Sequence, residues 1–199
     1  MKQIVFFGDS LTAGYGLKDP LSESLPALIA NEIEKTGLDY QVINAGISGD
    51  TSWSGLARLD EVLATPVDVF VLELGANDLL RGYSAQQLRA NLQKIIDKVR
   101  SAYPRAAILI LGMELPAWIS APGLSGFRNI YHELASANNC SLVPFFLSGV
   151  AGVRHLNMYD GVHPLAEGYQ VIAQTVWPAL MSLLSEQEAG NTVSGNSYK

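Results

Sequence analysis

Five short apolar runs, separated by stretches with helical periodicity, constrain the fold of this chain more than any other feature. The runs are rich in β-branched and aromatic residues, and most of them are continuous rather than alternating with polar residues. Strands of this kind are covered on both faces, which is the environment of a parallel sheet. The predicted strands span residues 3–7, 40–44, 67–74, 107–112 and 141–145.

Amphipathic helical patterns lie between these strands. Residues 21–36 carry an apolar stripe that ends at Gly37, and a helix over residues 84–102 begins with Ser84 and Gln87 at the spacing of a capping box. Such alternation predicts an α/β protein, a three-layer α/β/α sandwich around a five-stranded parallel sheet. Functional residues of such folds lie in loops at the carboxyl ends of the strands. The other predicted helices span residues 54–64, 124–138 and 164–184.

Length and charge limit the function classes that remain. The 199 residues suffice for one domain, which we assign to residues 1–184, followed by a polar tail at 185–199 that we expect to be flexible. The net charge is −6 and the basic residues are scattered, so we expect no nucleic-acid partner. No apolar run approaches the roughly 20 residues of a membrane helix, so we expect no stable membrane insertion.

Cellular location and cysteine chemistry are constrained less tightly. The start of the sequence shows no secretory signal, so we expect a cytoplasmic protein, or a periplasmic or secreted one if a leader has been removed. Cys140 is the only cysteine, which excludes an internal disulfide and a thiolate metal cluster. We expect a buried structural thiol there rather than a nucleophile. The oligomeric state is left open.

Two segments far apart in the chain contain the groups of a hydrolytic triad. Ser10 follows the first strand in the segment GDSL, and Asp160 precedes His163 in the segment DGVHP. A serine hydroxyl becomes a nucleophile beside a base, and a histidine acts as that base when its second ring nitrogen donates to a fixed acceptor. The alternatives are that Ser10 caps a turn or helix and that His163 is a surface histidine beside an aspartate.

Two further loops offer groups that stabilise negative charge. Gly46 lies in NAGISGDTS after the second strand, where a missing Cβ would let a backbone N–H approach a substrate oxygen. Asn77 lies in ELGAND after the third strand, and its amide donates without carrying charge. Taken alone, each segment fits better with an ordinary loop or turn. Together with Ser10 and His163, all at strand ends, they favour acyl transfer.

These segments also carry a resemblance to a known family. GDSLTAGYG, NAGISGDTS, ELGANDLLRG and DGVHP resemble the four sequence blocks of the SGNH hydrolase superfamily, also called GDSL esterases and lipases, over residues 2–184. Within it the chain is most similar to the bacterial acyl-CoA thioesterase, arylesterase and lysophospholipase branch. The resemblance implies a flavodoxin-like fold in which Asp9 positions the loop around the serine.

The resemblance also implies a role for each candidate residue. Ser10 would be the nucleophile, His163 the base and Asp160 the residue that orients it. The Ser10 backbone N–H, the Gly46 backbone N–H and the Asn77 side chain would form the oxyanion hole. The family uses no metal or organic cofactor, so we expect none here.

The expected activity is hydrolysis of carboxylic esters with short- to medium-chain acyl or aryl groups, through an acyl-enzyme on Ser10, with thioesters as further candidates. The alternatives are a carbohydrate deacetylase of the acetyl-xylan type with the same residues, an acyl-CoA thioesterase or lysophospholipase, and a non-enzymatic flavodoxin-like binding domain. The negative net charge offers no attraction for the anionic end of acyl-CoA, which favours neutral esters.

A substrate pocket is expected from apolar residues beside the same loops. Each of them fits the packing of a loop equally well. Glu114 stands where the branch usually has a basic residue, so the preferred acyl length does not carry over from the resemblance. The candidate pocket residues are Trp53, Leu79, Pro116 and Trp118.

Overall fold

Parallel pairing links every pair of neighbouring strands in a computed structural model that describes residues 1–113 and 125–195. The strands are β1 (Lys2–Gly8), β2 (Tyr40–Gly46), β3 (Val69–Leu72), β4 (Ala107–Leu111) and β5 (Ser141–Val143). They form one sheet in the order β2-β1-β3-β4-β5. The predicted five-stranded parallel sheet is therefore confirmed, with small shifts of the strand ends.

Helices connect the strands and cover the sheet. Within the described ranges they are α1 (Ser10–Ala13), α2 (Pro20–Glu23), α3 (Leu25–Thr36), α4 (Ser52–Val62), α5 (Ala76–Leu80), α6 (Ala85–Ala102), α7 (Ser125–Arg128), α8 (Ile130–Asn138) and α9 (Ala166–Gly195). The capping box before α6 is confirmed, since Ser84 Oγ accepts the Gln87 N–H and Gln87 Oε1 accepts the Ser84 N–H, both at 3.1 Å.

The helix predicted over residues 21–36 is in fact two helices. Ser24 separates α2 from α3 with extended backbone angles, φ −69° and ψ 159°. Pro26 explains the break, because a proline inside a continuous helix would lose one hydrogen bond and its ring would clash with the carbonyl four residues earlier. In the first turn of α3 the same proline is tolerated.

The apolar residues of β1 show how the sheet forms two cores. Ile4, Val5, Phe6 and Phe7 are all fully buried. Because successive side chains of a strand point to opposite faces, Ile4 and Phe6 pack with α3 and α9, whereas Val5 and Phe7 pack with α4, α6 and α8. Two covered faces account for the continuous apolar runs of the sequence.

The last helix extends beyond the domain boundary predicted at residue 184, as far as Gly195. The predicted tail is anchored at its start. Glu188 accepts hydrogen bonds from Lys2 Nζ at 2.6 Å and from the Tyr40 hydroxyl at 2.8 Å. Gln187 Nε2 donates to the Arg105 carbonyl at 3.3 Å. These contacts attach the part of α9 that follows residue 184 to the amino ends of β1 and β2. Polar composition does not reveal such tertiary contacts.

The strand order places a crevice at the carboxyl ends of β1 and β3. The chain leaves β1 for β2 on one side and later returns to β3 on the other side of β1. Connections that diverge in this way open a space above the sheet, where α/β proteins bind their ligands. None of the helices in the described part of the chain combines the length and the hydropathy that a membrane span requires.

Candidate active site

Ser10 lies at the point where the chain turns sharply from β1 into α1. It is the first residue of α1, and Asp9 caps this helix by accepting the Leu11 N–H on Oδ1 at 2.9 Å. Gly14 ends the helix with φ +80°, so that the N–H groups of Gly14 and Tyr15 both reach the Ser10 carbonyl. The turn holds the Ser10 hydroxyl at the carboxyl end of β1, an inner strand of the sheet.

The structure brings Ser10, His163 and Asp160 together. His163 Nε2 lies 2.9 Å from Ser10 Oγ, and His163 Nδ1 lies 2.6 Å from Asp160 Oδ2. An ionised carboxylate only accepts hydrogen bonds, so Nδ1 carries the hydrogen of the neutral ring and Nε2 is left as the acceptor for the Ser10 hydroxyl. This is the arrangement in which a histidine can remove a proton from a serine.

Asp160 is held in place by the turn that joins it to His163. Its Oδ1 accepts the N–H groups of Val162 at 2.9 Å and of His163 at 3.1 Å, and Gly161 adopts φ +70° between them. The hydrogen bond from His163 and these two backbone donors lower the pKa of Asp160 to about 2. Asp160 therefore remains ionised, and available to orient His163, at any pH well above about 2.

The Tyr15 ring lies against the His163 ring in a tilted arrangement, a contact that the sequence did not reveal. The two ring centroids are 4.7 Å apart at an interplanar angle of 48°. Tyr15 is half exposed and lies between Gly14 and Gly16, which both adopt positive φ. The signal for this placement is the segment GYG shortly after Ser10, because two glycines that reverse the chain keep the tyrosine near the serine.

Asn77 reaches the same turn from the end of β3. It lies in the first turn of α5, and its Nδ2 donates to Asp9 Oδ2 at 2.9 Å and to the Asp50 carbonyl at 3.0 Å. The amide predicted to stabilise an oxyanion therefore contacts Asp9, the residue directly before Ser10. Both of its hydrogens are engaged within the protein.

Gly46 does not occupy the position that the sequence predicted for an oxyanion donor. Ile47 N–H donates to the Gly8 carbonyl at 3.0 Å, so the alternating N–H of Gly46 points away from β1, toward the open edge of the sheet. It donates there to Asn44 Oδ1 at 3.0 Å. A Cβ on Gly46 would lie 2.4 Å from Ala13 N, so this glycine is needed for the close approach of α1.

Gly49, three residues later, has a free backbone donor. It occupies the third position of the turn from Ile47 to Asp50, closed by a 3.1 Å bond from Asp50 N to the Ile47 carbonyl, with φ +86°. Its N–H meets no acceptor among the described residues, and the same holds for the Ser10 N–H. Arg81 Nη2 fixes this turn by donating to the Gly49 carbonyl at 2.7 Å.

The structure describes two of the four predicted pocket residues, Trp53 and Leu79. Trp53 is two-thirds exposed in the first turn of α4, where it is accessible to a ligand. Leu79 is partly buried and packs against the core formed by α4, α6 and α8, as the packing alternative predicted. Pro116 and Trp118 lie outside the described residues.

Cys140 lies apart from this site. It directly precedes β5, at the end of the strand opposite to that where Ser10 follows β1. Burial raises the pKa of the Cys140 thiol, and the nearby Arg100 guanidinium only partly offsets that rise. Within residues 1–113 and 125–195, no three or more His, Cys, Asp or Glu side chains cluster in a way that could hold a metal ion.

Known proteins share both the sequence and the fold of this chain. The sequence pattern of the GDSL-like lipase/acylhydrolase family matches residues 6–171. Esterase TesA of Pseudomonas aeruginosa is 40% identical over 182 residues, which are 91% of this chain and 89% of that protein. An arylesterase of Vibrio mimicus is 36% identical over 185 residues, 92% of this chain and 90% of that protein. A crystal structure of TesA matches with a TM-score of 0.85 at 39% identity, over 92% of this chain and 99% of the other.

Proposed function

We propose that this chain, which belongs to the GDSL-like lipase/acylhydrolase family and is a serine hydrolase that cleaves carboxylic esters, works through an acyl-enzyme on Ser10. The continuous contact from Ser10 Oγ through His163 to Asp160, at 2.9 and 2.6 Å, is the observation that carries this proposal. It joins a nucleophile, a base and a fixed anion in the order that acyl transfer requires.

The first step is attack on the ester carbonyl carbon. Ser10 Oγ forms the new bond while His163 Nε2 accepts the hydroxyl proton, and the carbonyl π electrons move to the oxygen. The imidazolium that results is stabilised by the Asp160 carboxylate at Nδ1. The Tyr15 ring, whose centroid lies 4.7 Å from that of His163, is close enough to attract the imidazolium through its π electrons.

The negative oxygen of the tetrahedral intermediate needs donors that point at it. We assign this role to the free N–H groups of Ser10 and Gly49 and to the Asn77 side chain, with Gly49 in place of the predicted Gly46. Asn77 keeps one hydrogen on Asp9 and turns the other from the Asp50 carbonyl to the oxyanion. The Asp9 bond then fixes the direction of the amide.

Collapse of the intermediate breaks the bond to the leaving group. His163 returns its proton to the departing alcohol oxygen, which leaves an acyl group on Ser10. Water then attacks the acyl carbon while His163 takes a proton from it. The second intermediate collapses to a carboxylic acid, and the proton passes back to Ser10 Oγ.

The substrates that fit are esters with a short- to medium-chain acyl group or an aryl group. Two exposed aromatic side chains support this class, Tyr15 over His163 and Trp53 at the start of α4, because both present flat apolar surface near strand ends. The related arylesterase supports it as well. A panel of p-nitrophenyl esters of increasing chain length, with an acyl-CoA and acetylated xylan beside it, measures the preference directly.

Replacement of Ser10 tests the proposal most directly. Ser10→Ala should lower kcat for p-nitrophenyl butyrate by roughly three orders of magnitude or more, and a serine-directed phosphonate should label the parent but not the variant. Ser22→Ala is the matched control, because Ser22 is an exposed serine whose hydroxyl donates to Asp19. Parental turnover in Ser10→Ala would refute the assignment of the nucleophile.

A further inference from the structure

Two carboxyl groups are buried together directly behind Ser10. Asp9 at the end of β1 and Glu73 at the end of β3 are 0% and 1% exposed. Glu73 Oε2 accepts the Asp9 N–H at 3.2 Å and the Thr12 hydroxyl at 2.8 Å. The pair fits only because residue 8 is glycine, since a Cβ there would lie 2.5 Å from Glu73 Oε2. The mechanism above uses Asp9 but gives Glu73 no role.

The hydrogen bonds around the pair show which carboxyl carries the charge. Asp9 accepts the Leu11 N–H on one oxygen and the Asn77 amide on the other, which suits an ionised carboxylate. Glu73 Oε1 is buried and receives no hydrogen bond from the described residues. A buried carboxylate oxygen without a donor is strongly unfavourable, whereas a neutral carboxylic acid avoids the charge.

Glu73 Oε2 accepts the Asp9 backbone N–H, so the two carboxyl groups share one buried space, where two negative charges would repel each other unless one carboxyl holds a proton. Because Asp9 is already surrounded by N–H donors, that proton belongs to Glu73. Burial and the neighbouring Asp9 charge raise the pKa of Glu73 well above its usual range. Burial also raises the pKa of Asp9, to about 6. Near neutral pH the pair therefore carries one negative charge, on Asp9.

The surrounding ionisable groups offer Glu73 no compensating charge. Tyr131 on α8 donates its hydroxyl to the Leu74 carbonyl, and Tyr169 on α9 donates to the Leu11 carbonyl, so neither phenol donates to Glu73. Asp78 on α5 is a further acid near Tyr131, while His163 is engaged with Ser10 and Asp160. No ion pair from a basic residue in the described ranges reaches either carboxyl.

We propose that Glu73 is a positioning residue: a neutral carboxylic acid that donates its hydrogen to the Asp9 carboxylate and thereby fixes the Asn77 amide. The inference rests on the proposed function for the role of Asn77 in the reaction. A proton on Glu73 lets Asp9 remain charged and accept the Asn77 N–H. A second charge on Glu73 would repel the Asp9 carboxylate and displace it from the Asn77 N–H.

Two variants of Glu73 separate the neutral acid from a simple packing role. Glu73→Leu removes the contacts to Asp9 and Thr12, and it should lower kcat for p-nitrophenyl butyrate by about 10–100-fold with little change in KM. Glu73→Gln should restore most of this loss, because its amide donates to Asp9 and its carbonyl accepts from Thr12 as the neutral acid does. Equal kcat losses in both variants would contradict the proposal.

The pH profile gives a second readout. As the pH rises far enough to ionise Glu73, kcat of the parent should fall, whereas Glu73→Gln cannot ionise and should keep its kcat there. The exposed Glu61→Gln is the matched control and should show the parental profile. An identical alkaline limb in the parent and in Glu73→Gln would contradict the proposal.

The protonation state can be measured without any turnover. Carboxyl-labelled glutamate gives one carbon signal per Glu side chain in NMR spectra, and the signal absent from Glu73→Gln belongs to Glu73. We expect this signal to have the chemical shift of a protonated carboxylic acid at pH 7, in the parent and in Ser10→Ala. The chemical shift of an ionised carboxylate at pH 7 would overturn the inference. This result does not depend on what the activity of Ser10→Ala shows about the nucleophile.

Discussion

Asn77 Nδ2 donates to Asp9 Oδ2 at 2.9 Å, although the two residues are 68 positions apart in the chain. Asp9 also caps the helix that begins with Ser10. A single carboxylate therefore sets both the turn that presents the nucleophile and the direction of the amide proposed to stabilise the oxyanion. Such coupling keeps the two groups in register while the second Asn77 hydrogen changes its partner from the Asp50 carbonyl to the oxyanion.

Removal of the Asn77 amide should slow the chemical step. We expect Asn77→Ala to lower kcat about 10²–10³-fold, roughly 3–4 kcal/mol of transition-state stabilisation, with a smaller change in KM. Steady-state kinetics with p-nitrophenyl acetate measure this loss. Asn31→Ala, an exposed asparagine on α3, is the control. A kcat for Asn77→Ala within a few-fold of the parent would show that the amide does not contact the oxyanion.

Neutralisation of Asp160 should leave the fold intact and impair catalysis. Asp160→Asn keeps the shape of the side chain but removes the anion that fixes the His163 tautomer, so kcat should fall about 10²–10⁴-fold. The Asp160 side chain is 44% exposed, so the free energy of unfolding at pH 7 should change by less than about 1 kcal/mol. Kinetics and urea denaturation of the same samples separate the two effects. Parental kcat in Asp160→Asn would exclude Asp160 as the orienting residue.

Patterns that depend on local sequence were predictable for this protein. The five apolar runs indicated the parallel sheet, because a strand covered on both faces has to be apolar throughout. The meeting of Ser10 and His163 followed from the rule that the carboxyl ends of parallel strands share one edge. The short helices α1 and α5 were missed, because four or five residues are too few to show a helical period.

Features that depend on register and tertiary burial were not predictable. Gly46 and Gly49 both lie in NAGISGDTS, and only the pairing of β2 with β1 shows that the Gly46 N–H points away from Ser10. Glu73 looked like a polar residue at a strand end, yet the approach of Thr12 and Asp9 buries it completely. Neither effect leaves a trace in the local pattern of residues.

The stability of the protein should depend on pH through Asp9 and Glu73. Both have a higher pKa when folded than when unfolded, so the folded state holds more protons and the pair contributes most stability at pH values below the unfolded pKa. That contribution should fall as the pH rises through about 6, where buried Asp9 ionises. Urea denaturation between pH 4 and pH 8 measures it.

Glu73→Gln isolates this contribution from the other ionisable groups, since it removes one of the two titrating carboxyls. As the pH rises, the free energy of unfolding of the parent should fall relative to that of Glu73→Gln. Asp160 acts in the opposite sense, because its lowered pKa contributes stability that is lost only as the pH falls from about 4 toward 2. A difference that is constant from pH 4 to pH 8 would contradict a raised pKa for the buried pair.

Arg58 should contribute more to stability than the exposed ion pairs among the described residues. Its Nε lies 2.6 Å from Asp50 Oδ2, and its Nη2 donates to the carbonyls of Ala45 at 2.8 Å and Gly8 at 3.2 Å. The guanidinium carbon lies 4.2 Å from the centroid of the Phe7 ring. One side chain thus ties together the carboxyl ends of β1 and β2 and the turn before α4, and only a planar fork reaches all of these acceptors.

Replacement of Arg58 removes one donor from the buried Asp50 carboxylate, which keeps the Ser54 hydroxyl at 2.8 Å, and one donor from each of the Ala45 and Gly8 carbonyls. Arg58→Met should lower the free energy of unfolding by about 2–4 kcal/mol, and Arg58→Lys by less, because an ammonium group reaches only part of the set. Arg89→Met is the matched control: it breaks the ion pair with Glu133, in which both side chains are 54% exposed, and should change stability by less than about 1 kcal/mol. Urea denaturation at pH 7 measures all three variants. Equal losses for Arg58→Met and Arg89→Met would mean that the bonds from Arg58 to the strand ends do not stabilise the fold.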